Sequence, residues 1–382
     1  SPRMAAPYLG QVATKCFHPI SSTSSNTRFN SRSPHFARDA IASLRIVLPN
    51  WFWNRSTKAE AGSGATATYS AAIEYPAGSF TPVKFAGAAA GTVASGLDLT
   101  SDPVSISIPN GALFWVRVYC SAATIVFGGT ASGSTTSTLD SGNGAVFEAG
   151  TSLTDKTMGG TLTQFGSVCF APVAILATTR RPSVLLAGDS RCWGAGDGYD
   201  AGGDLGELAR TIGPAFAYIN LGSYGDTAYQ AGASYAGRAR QAQYCSHVLC
   251  EYGVNDIVQA KTGAQTWSAL QALYQAFAGR PVYQTTIGPV STSGDNWATT
   301  AGQTSEGHNA ARVALNAIIR GGPWPLAGWF EVADAVESAR DSGVWKASGT
   351  AYGMTVDGTH ESQAGYLAIR YSGGIRTRDL TR

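Results

Sequence analysis

Four short stretches of the chain carry side chains able to do chemistry. They are "LLAGDSRCWG" with Ser190, "NLGSYGDT" with Gly225, "EYGVNDI" with Asn255, and "DGTHESQAGY" with Asp357 and His360. A serine hydroxyl is a poor nucleophile until a base takes its proton during attack. An imidazole titrating near neutrality is suited to that task, and a carboxylate three residues earlier can hold its other ring nitrogen. The set would therefore suit nucleophilic acyl transfer. Taken singly, each stretch has a plainer reading. Ser190 could be a turn residue or a helix N-cap, Asn255-Asp256 and Asp357-Gly358 could be turns, and His360 could lie on a surface loop.

In type and order the four blocks resemble the SGNH, or GDSL-type, hydrolases. Those enzymes carry a Ser in G-D-S, a Gly in the second block, an Asn in G-x-N-D, and D-x-x-H. The resemblance spans residues 183 to 375, about half the chain, and four blocks in order outweigh four separate turn readings. It implies a three-layer α/β/α, flavodoxin-like catalytic domain with a mostly parallel sheet. It also implies Ser190 as nucleophile, His360 as base and Asp357 as its orienting carboxylate. The oxyanion hole would come from the backbone N–H groups of Ser190 and Gly225 and the side-chain amide of Asn255. Two residues depart from the common pattern: Arg191 stands where Leu is frequent, and Glu361 where many members have Pro. Arg191 reads as an outward-facing residue at a helix start, with contact to a polar or anionic substrate as the alternative. Asp189, Asp256 and Asp334 read as structural carboxylates.

The elements that must position these residues follow from periodicity. Residues 1–36 contain "SSTSSNTRFNSRS" and read as a leader or arm of partly irregular structure. Residues 37–178 show short alternating runs such as "VSISI" and "LFWVRVYC" between turn signals, the pattern of an all-β sandwich or jelly roll. From 179 to 382 strands alternate with helices. Strands are expected at 183–187, 217–222, 247–253, 281–288 and 328–335. Helices are expected at 227–244, 264–279 and 308–320, with another after His360. That rhythm predicts a mostly parallel sheet covered on both faces, with chemistry at the carboxyl ends of the strands.

Composition narrows the function. Charged residues make up only 14% of the chain and the net charge is +2, which leaves no basic field for nucleic acid. No apolar run reaches the length of a membrane helix. A weakly charged surface rich in Gly, Ser and Thr suits an exported protein, with a cytoplasmic location left open. Six cysteines could form up to three bridges, and Cys169 and Cys250 read as buried free thiols. The histidines show no metal-binding spacing, "GAGDG" (194–198) lacks the lysine of a phosphate loop, and no metal or cofactor is expected. The loop 289–307 is polar, with Trp297 and Gln303 available to a substrate. The expected activity is hydrolysis of short acyl esters, chiefly acetyl, on glycans or similar polar alcohols. Two alternatives stand beside it: a general short-chain esterase without glycan preference, and a glycan-binding or adhesion protein with a dispensable esterase fold.

Overall fold

The run Ser183–Ala187 supplies two cores at once. Val184 and Leu186 join Leu208, Ile212, Phe330 and Ile369 in one cluster. Leu185 and Ala187 join Leu270, Leu273, Phe277 and Leu315 in the other. Successive strand residues point to opposite faces, so a strand covered on both sides is apolar without alternation. In the computed structural model, which describes residues 6–128, 140–200 and 202–381, this strand lies inside a six-stranded parallel sheet. The strand order is Cys16–Phe17, Ala217–Asn220, Ser183–Ala187, His247–Cys250, Val282–Thr285 and Gly328–Phe330. After Ser183–Ala187 the chain adds one strand on its left and the next on its right. Such a reversal opens a crevice at the carboxyl ends of the strands, and Ser190 emerges there. Positions 1–5, 129–139, 201 and 382 of the expected segments lie outside the described residues.

Two antiparallel sheets precede this layer. One contains Tyr8–Gln11, Ala174–Thr179, Ile41–Pro49 and Asp98–Thr100, with Val104–Ile108 also on Ile41–Pro49. The other contains Gly91–Val93, Ala67–Glu74, Leu113–Ser121, Arg28–Phe36 and Val146–Gly150, with Phe80–Pro82 on Ala67–Glu74. Phe114, Val116, Val118 and Cys120 are buried together, as alternation in "LFWVRVYC" requires. The segment read as an irregular arm is corrected here. Cys16–Phe17 forms an edge of the parallel sheet, and Arg28–Phe36 is an interior strand of the second antiparallel sheet. Its inward positions are polar but buried: Ser33 Oγ bonds His35 Nε2 at 2.8 Å and Asn30 Nδ2 donates to Glu148 at 2.9 Å. Hydrogen bonds replace apolar side chains there, so hydropathy misses the strand.

Several expected elements are shorter in the structure, two of them for a visible local reason. The strand at 328–335 ends at Phe330, because the N–H groups of Val332 and Ala333 both donate to Thr286 Oγ1 and turn the chain into helix Ala333–Val336. The helix at 227–244 divides into Ala228–Ala233, Ala236–Gln241 and a 3₁₀ turn, Ala242–Tyr244. Ser234 leaves the helical region at φ −148°, and its Oγ accepts from Glu60 N at 2.9 Å. That bond belongs to a seam between the antiparallel and parallel layers. The Glu60 carboxylate accepts from Gly237 N and from the Arg238 guanidinium at 2.6 and 2.8 Å, and Asp98 accepts from Arg240 at 2.9 Å. All six cysteines are free and buried.

Candidate active site

Ser190 opens a one-turn helix, Ser190–Trp193, directly after the central strand. Asp189 caps it by accepting from Arg191 N at 3.0 Å, while Asp189 N donates to Glu251 Oε2 at 2.9 Å. The Ser190 Oγ lies 2.8 Å from His360 Nε2, and His360 Nδ1 lies 2.7 Å from Asp357 Oδ2. The other carboxylate oxygen accepts from Thr359 N at 2.9 Å and His360 N at 2.8 Å. A carboxylate only accepts, so Nδ1 carries the proton and Nε2 is left to accept from the serine. Burial works to raise the Asp357 carboxyl. The hydrogen bond and charge of His360 and the two N–H donors outweigh it and bring the group to about 2. Asp357 is therefore ionised at any working pH near neutrality.

The second and third blocks converge on the same end of the sheet. Gly225 follows strand Ala217–Asn220, and Asn255 lies in helix Val254–Val258 after strand His247–Cys250. Asn255 Nδ2 donates to Asp226 O at 2.8 Å, which sets its amide against the Gly225–Asp226 loop. An amide nitrogen has two hydrogens, so one bond leaves a second donor. Asp256 braces the same loop by accepting from Ala228 N at 2.8 Å and Tyr229 N at 3.2 Å. Tyr224, beside Gly225, stacks on His360 at 5.6 Å between ring centroids, with Trp193 edge-on to it at 5.7 Å.

Arg191 is not outward-facing. Its side chain is buried, donating to Thr359 O at 2.9 Å and Pro289 O at 2.8 Å. It lies among four buried acids, Asp189, Glu207, Glu251 and Glu361, whose charges hold it protonated against the cost of burial. Burial, then their mutual repulsion, pushes Asp189 and Glu207 up and brings Glu251 to about 8. Burial also raises Glu361, although Arg191 acts against it. The local sequence at the helix start announces only Asp189; Glu207, Glu251 and Glu361 come from later segments.

The proposed substrate contacts in loop 289–307 are occupied within the protein. Gln303 donates to Thr299 O at 3.2 Å and Trp345 O at 3.0 Å, and accepts from Ser291 Oγ and Trp345 N at 2.9 Å each. Trp297 donates to Ser291 Oγ at 3.1 Å, and its ring closes on Gly358, where a Cβ would lie 2.6 Å from it. Both residues brace the Asp357–His360 loop. "GAGDG" is structural as expected: Asp197 receives the Arg210 guanidinium at 2.7 Å. Asp334 pairs with Arg340 and Arg320. No group of His, Cys, Asp and Glu able to hold a metal occurs among the described residues.

Sequence reasoning missed Tyr224, Arg55 and Lys58. Tyr224 had a signal in its position next to Gly225. The other two lie in a hairpin far away in sequence, between strands Trp51–Asn54 and Ala59–Gly62.

No family model and no curated relative matches this sequence. Among solved structures, 46 chains match, many of them GDSL-type lipases, acylhydrolases or esterases. A GDSL-like lipase from Bacteroides ovatus is 12% identical, with 90% of this chain and 81% of that one covered and a TM-score of 0.34. The aryl esterase of M. smegmatis is 16% identical over 52% of this chain and 100% of its own, with a TM-score of 0.38. A carbohydrate acetylesterase from Sinorhizobium meliloti is 16% identical over 52% and 100%, with a TM-score of 0.37.

Proposed function

We propose that this protein is a serine esterase that removes short acyl groups, chiefly acetyl, from polar alcohols of the glycan class. The observation that carries the reading is the hydrogen-bonded series Ser190, His360 and Asp357, at 2.8 and 2.7 Å, at the carboxyl end of the central parallel strand. Residues 179–382 are the catalytic domain in this reading, and residues 37–178 an accessory β-sandwich beside it. The Asn255 amide on the Gly225–Asp226 loop and the Tyr224 ring stacked on His360 are the support for a small acyl group over a long acyl chain.

The reaction follows from the groups present. Ser190 Oγ attacks the ester carbonyl carbon while its proton passes to His360 Nε2. Asp357 stabilises the imidazolium that forms. The carbonyl oxygen becomes an oxyanion facing the N–H groups of Ser190 and Gly225 and the Asn255 amide, each such donor contributing about 2.7–4 kcal/mol. Collapse breaks the bond to the alcohol oxygen, which takes the proton from His360 and leaves. Water then attacks the acyl-serine with His360 again as base, releasing the carboxylic acid and restoring Ser190.

The test is a panel of esters varying acyl length and alcohol, run with the protein and its Ser190→Ala variant, beside reaction with a serine-directed phosphonate. Hydrolysis of acetyl esters that disappears in a folded Ser190→Ala protein is the expected result. No hydrolysis of any ester, with no phosphonate adduct, rejects the enzyme reading. Turnover confined to long-chain lipid esters rejects the substrate class.

A further inference from the structure

We propose that Arg55 and Lys58 form an anion-binding subsite beside the oxyanion hole, so that the preferred ester carries a carboxylate. The inference rests on the esterase reading and narrows its substrate to an acylated acidic sugar or an ester with an acidic acyl group.

Three relationships place the two cations at the reacting centre. The Arg55 guanidinium carbon lies 4.0 Å from the centre of the Tyr224 ring, and that ring stacks on His360 at 5.6 Å. The guanidinium and the imidazole that serves Ser190 thus lie against the same aromatic ring. Lys58 Nζ lies so close to Gly225 that a Cβ there would sit 2.6 Å from it. Gly225 has φ +80°, a conformation that favours glycine. The missing side chain leaves room for the ammonium next to the residue whose N–H would meet the oxyanion. Both cations come from the two-stranded hairpin Trp51–Asn54/Ala59–Gly62, outside the parallel sheet that carries Ser190.

Neither cation of this pair has a direct ion-pair partner among the described residues. Arg191 and Arg238, the guanidiniums packed behind the Ser190 helix and the Gly225–Asp226 loop, each meet a carboxylate. Among the described residues, Arg55 and Lys58 meet none within ion-pair distance. Partial burial, followed by the charge of Arg55, lowers the affinity of Lys58 for its proton, and Asp226 offsets this only in part. Asp226 is itself committed to Arg238 at 2.8 Å. Two adjacent cations held without a counter-ion attract an anion, and a guanidinium offers a carboxylate a planar pair of donors.

The hairpin that carries them is held in place. Asn54 Oδ1 accepts from Ser56 N at 2.9 Å and Thr57 N at 3.3 Å, fixing the turn. On the returning strand, Glu60 takes the Arg238 guanidinium and the backbone of helix Ala236–Gln241. Buried Trp53 lies 5.4 Å from Lys58 Nζ. A cation fixed on a rigid element recognises charge with little ordering cost.

The experiment compares matched esters at low and high ionic strength. Acetylated methyl glucuronoside is set against acetylated methyl glucoside, placing the acid on the alcohol part. p-Nitrophenyl hemisuccinate is set against p-nitrophenyl butyrate, placing it on the acyl part. In one of these pairs the acidic ester is expected to have a kcat/KM at least tenfold higher, with the advantage shrinking as salt rises; the pair that responds identifies the source of the carboxylate. In Arg55→Gln/Lys58→Gln the acidic-to-neutral ratio should fall about tenfold, to near one, and Lys58→Glu should take it below one. Neutral esters turned over as fast as acidic ones in both pairs overturn the subsite and leave the esterase reading standing. So does a ratio that these variants do not move. Failure of all four esters together with no phosphonate adduct overturns the esterase reading and the subsite with it.

Discussion

Arg191 and Glu361, the residues that follow Ser190 and His360 in the chain, meet in the interior with Nε and Oε2 3.7 Å apart and side chains 1% and 0% exposed. They are also the two positions that depart from the common GDSL-type pattern. The departures are therefore one feature: a buried cation and a buried carboxyl in contact, joining the nucleophile's helix to the histidine's loop.

Removing one partner leaves an uncompensated buried charge, which costs about 3–5 kcal/mol. Arg191→Leu should lower stability by that order. It should also lower kcat, because Arg191 donates to Thr359 O beside His360. Adding Glu361→Gln should recover part of the loss, since a neutral amide needs no cation. A double-mutant cycle by urea denaturation measures this; strictly additive effects would show that the two side chains do not interact.

Glu251 gives stability a pH dependence of definite sign. Burial and the Glu207 charge bring it to about 8 from an ordinary 4.5. Between these values the folded state holds a proton that the unfolded chain releases. This contribution is thus complete below about 4.5 and is lost as pH rises toward about 8. Wild-type urea midpoints should fall from pH 5 to pH 8, and Glu251→Gln should flatten the decline. Equal slopes in the two proteins would assign the decline to other groups.

The candidate site was largely legible in the sequence, and the fold partly so. Ser190, Asp357 and His360 could be read because four blocks in order resemble the GDSL-type pattern, and the apolar run Ser183–Ala187 marks its own strand. What surrounds them was less accessible. Gly188 is needed for close approach, which nothing local announces: a Cβ there would lie 2.3 Å from Glu251 Oε2. Arg191 reads as exposed because nothing near it in sequence announces Glu207 or Glu361. Arg28–Phe36 reads as irregular because buried polar residues such as Asn30 depend on partners far away in sequence, here Glu148 and Thr154. In each case the missing information was a long-range polar contact, which local periodicity does not encode.

Gln303 tests the reassignment of loop 289–307. It holds Trp345 at both N–H and C=O, and Trp345 Nε1 donates to Gly358 O at 3.0 Å within the Asp357–His360 loop. Gln303→Ala should lower stability by about 1 kcal/mol per lost hydrogen bond and reduce kcat several-fold through the loop, with KM nearly unchanged. Steady-state kinetics beside a thermal melt decides it. A rise in KM alone would restore Gln303 as a substrate contact.

Asn255 separates oxyanion stabilisation from nucleophile activation. Its Nδ2 bond to Asp226 O at 2.8 Å fixes the amide's direction, and it has no hydrogen bond to Ser190, His360 or Asp357 among the described residues. Asn255→Ala should reduce kcat by about 10²–10³ with a smaller change in KM, because the lost donor acts on charge that develops in the transition state. The phosphonate should still label Ser190, since the Ser190–His360 pair is untouched, but more slowly. Asn255→Asp should be worse than alanine, because a carboxylate would face the developing negative charge. Activity in Asn255→Asp equal to or above that of Asn255→Ala would remove Asn255 from the oxyanion hole and leave its bond to the Asp226 loop as its whole contribution.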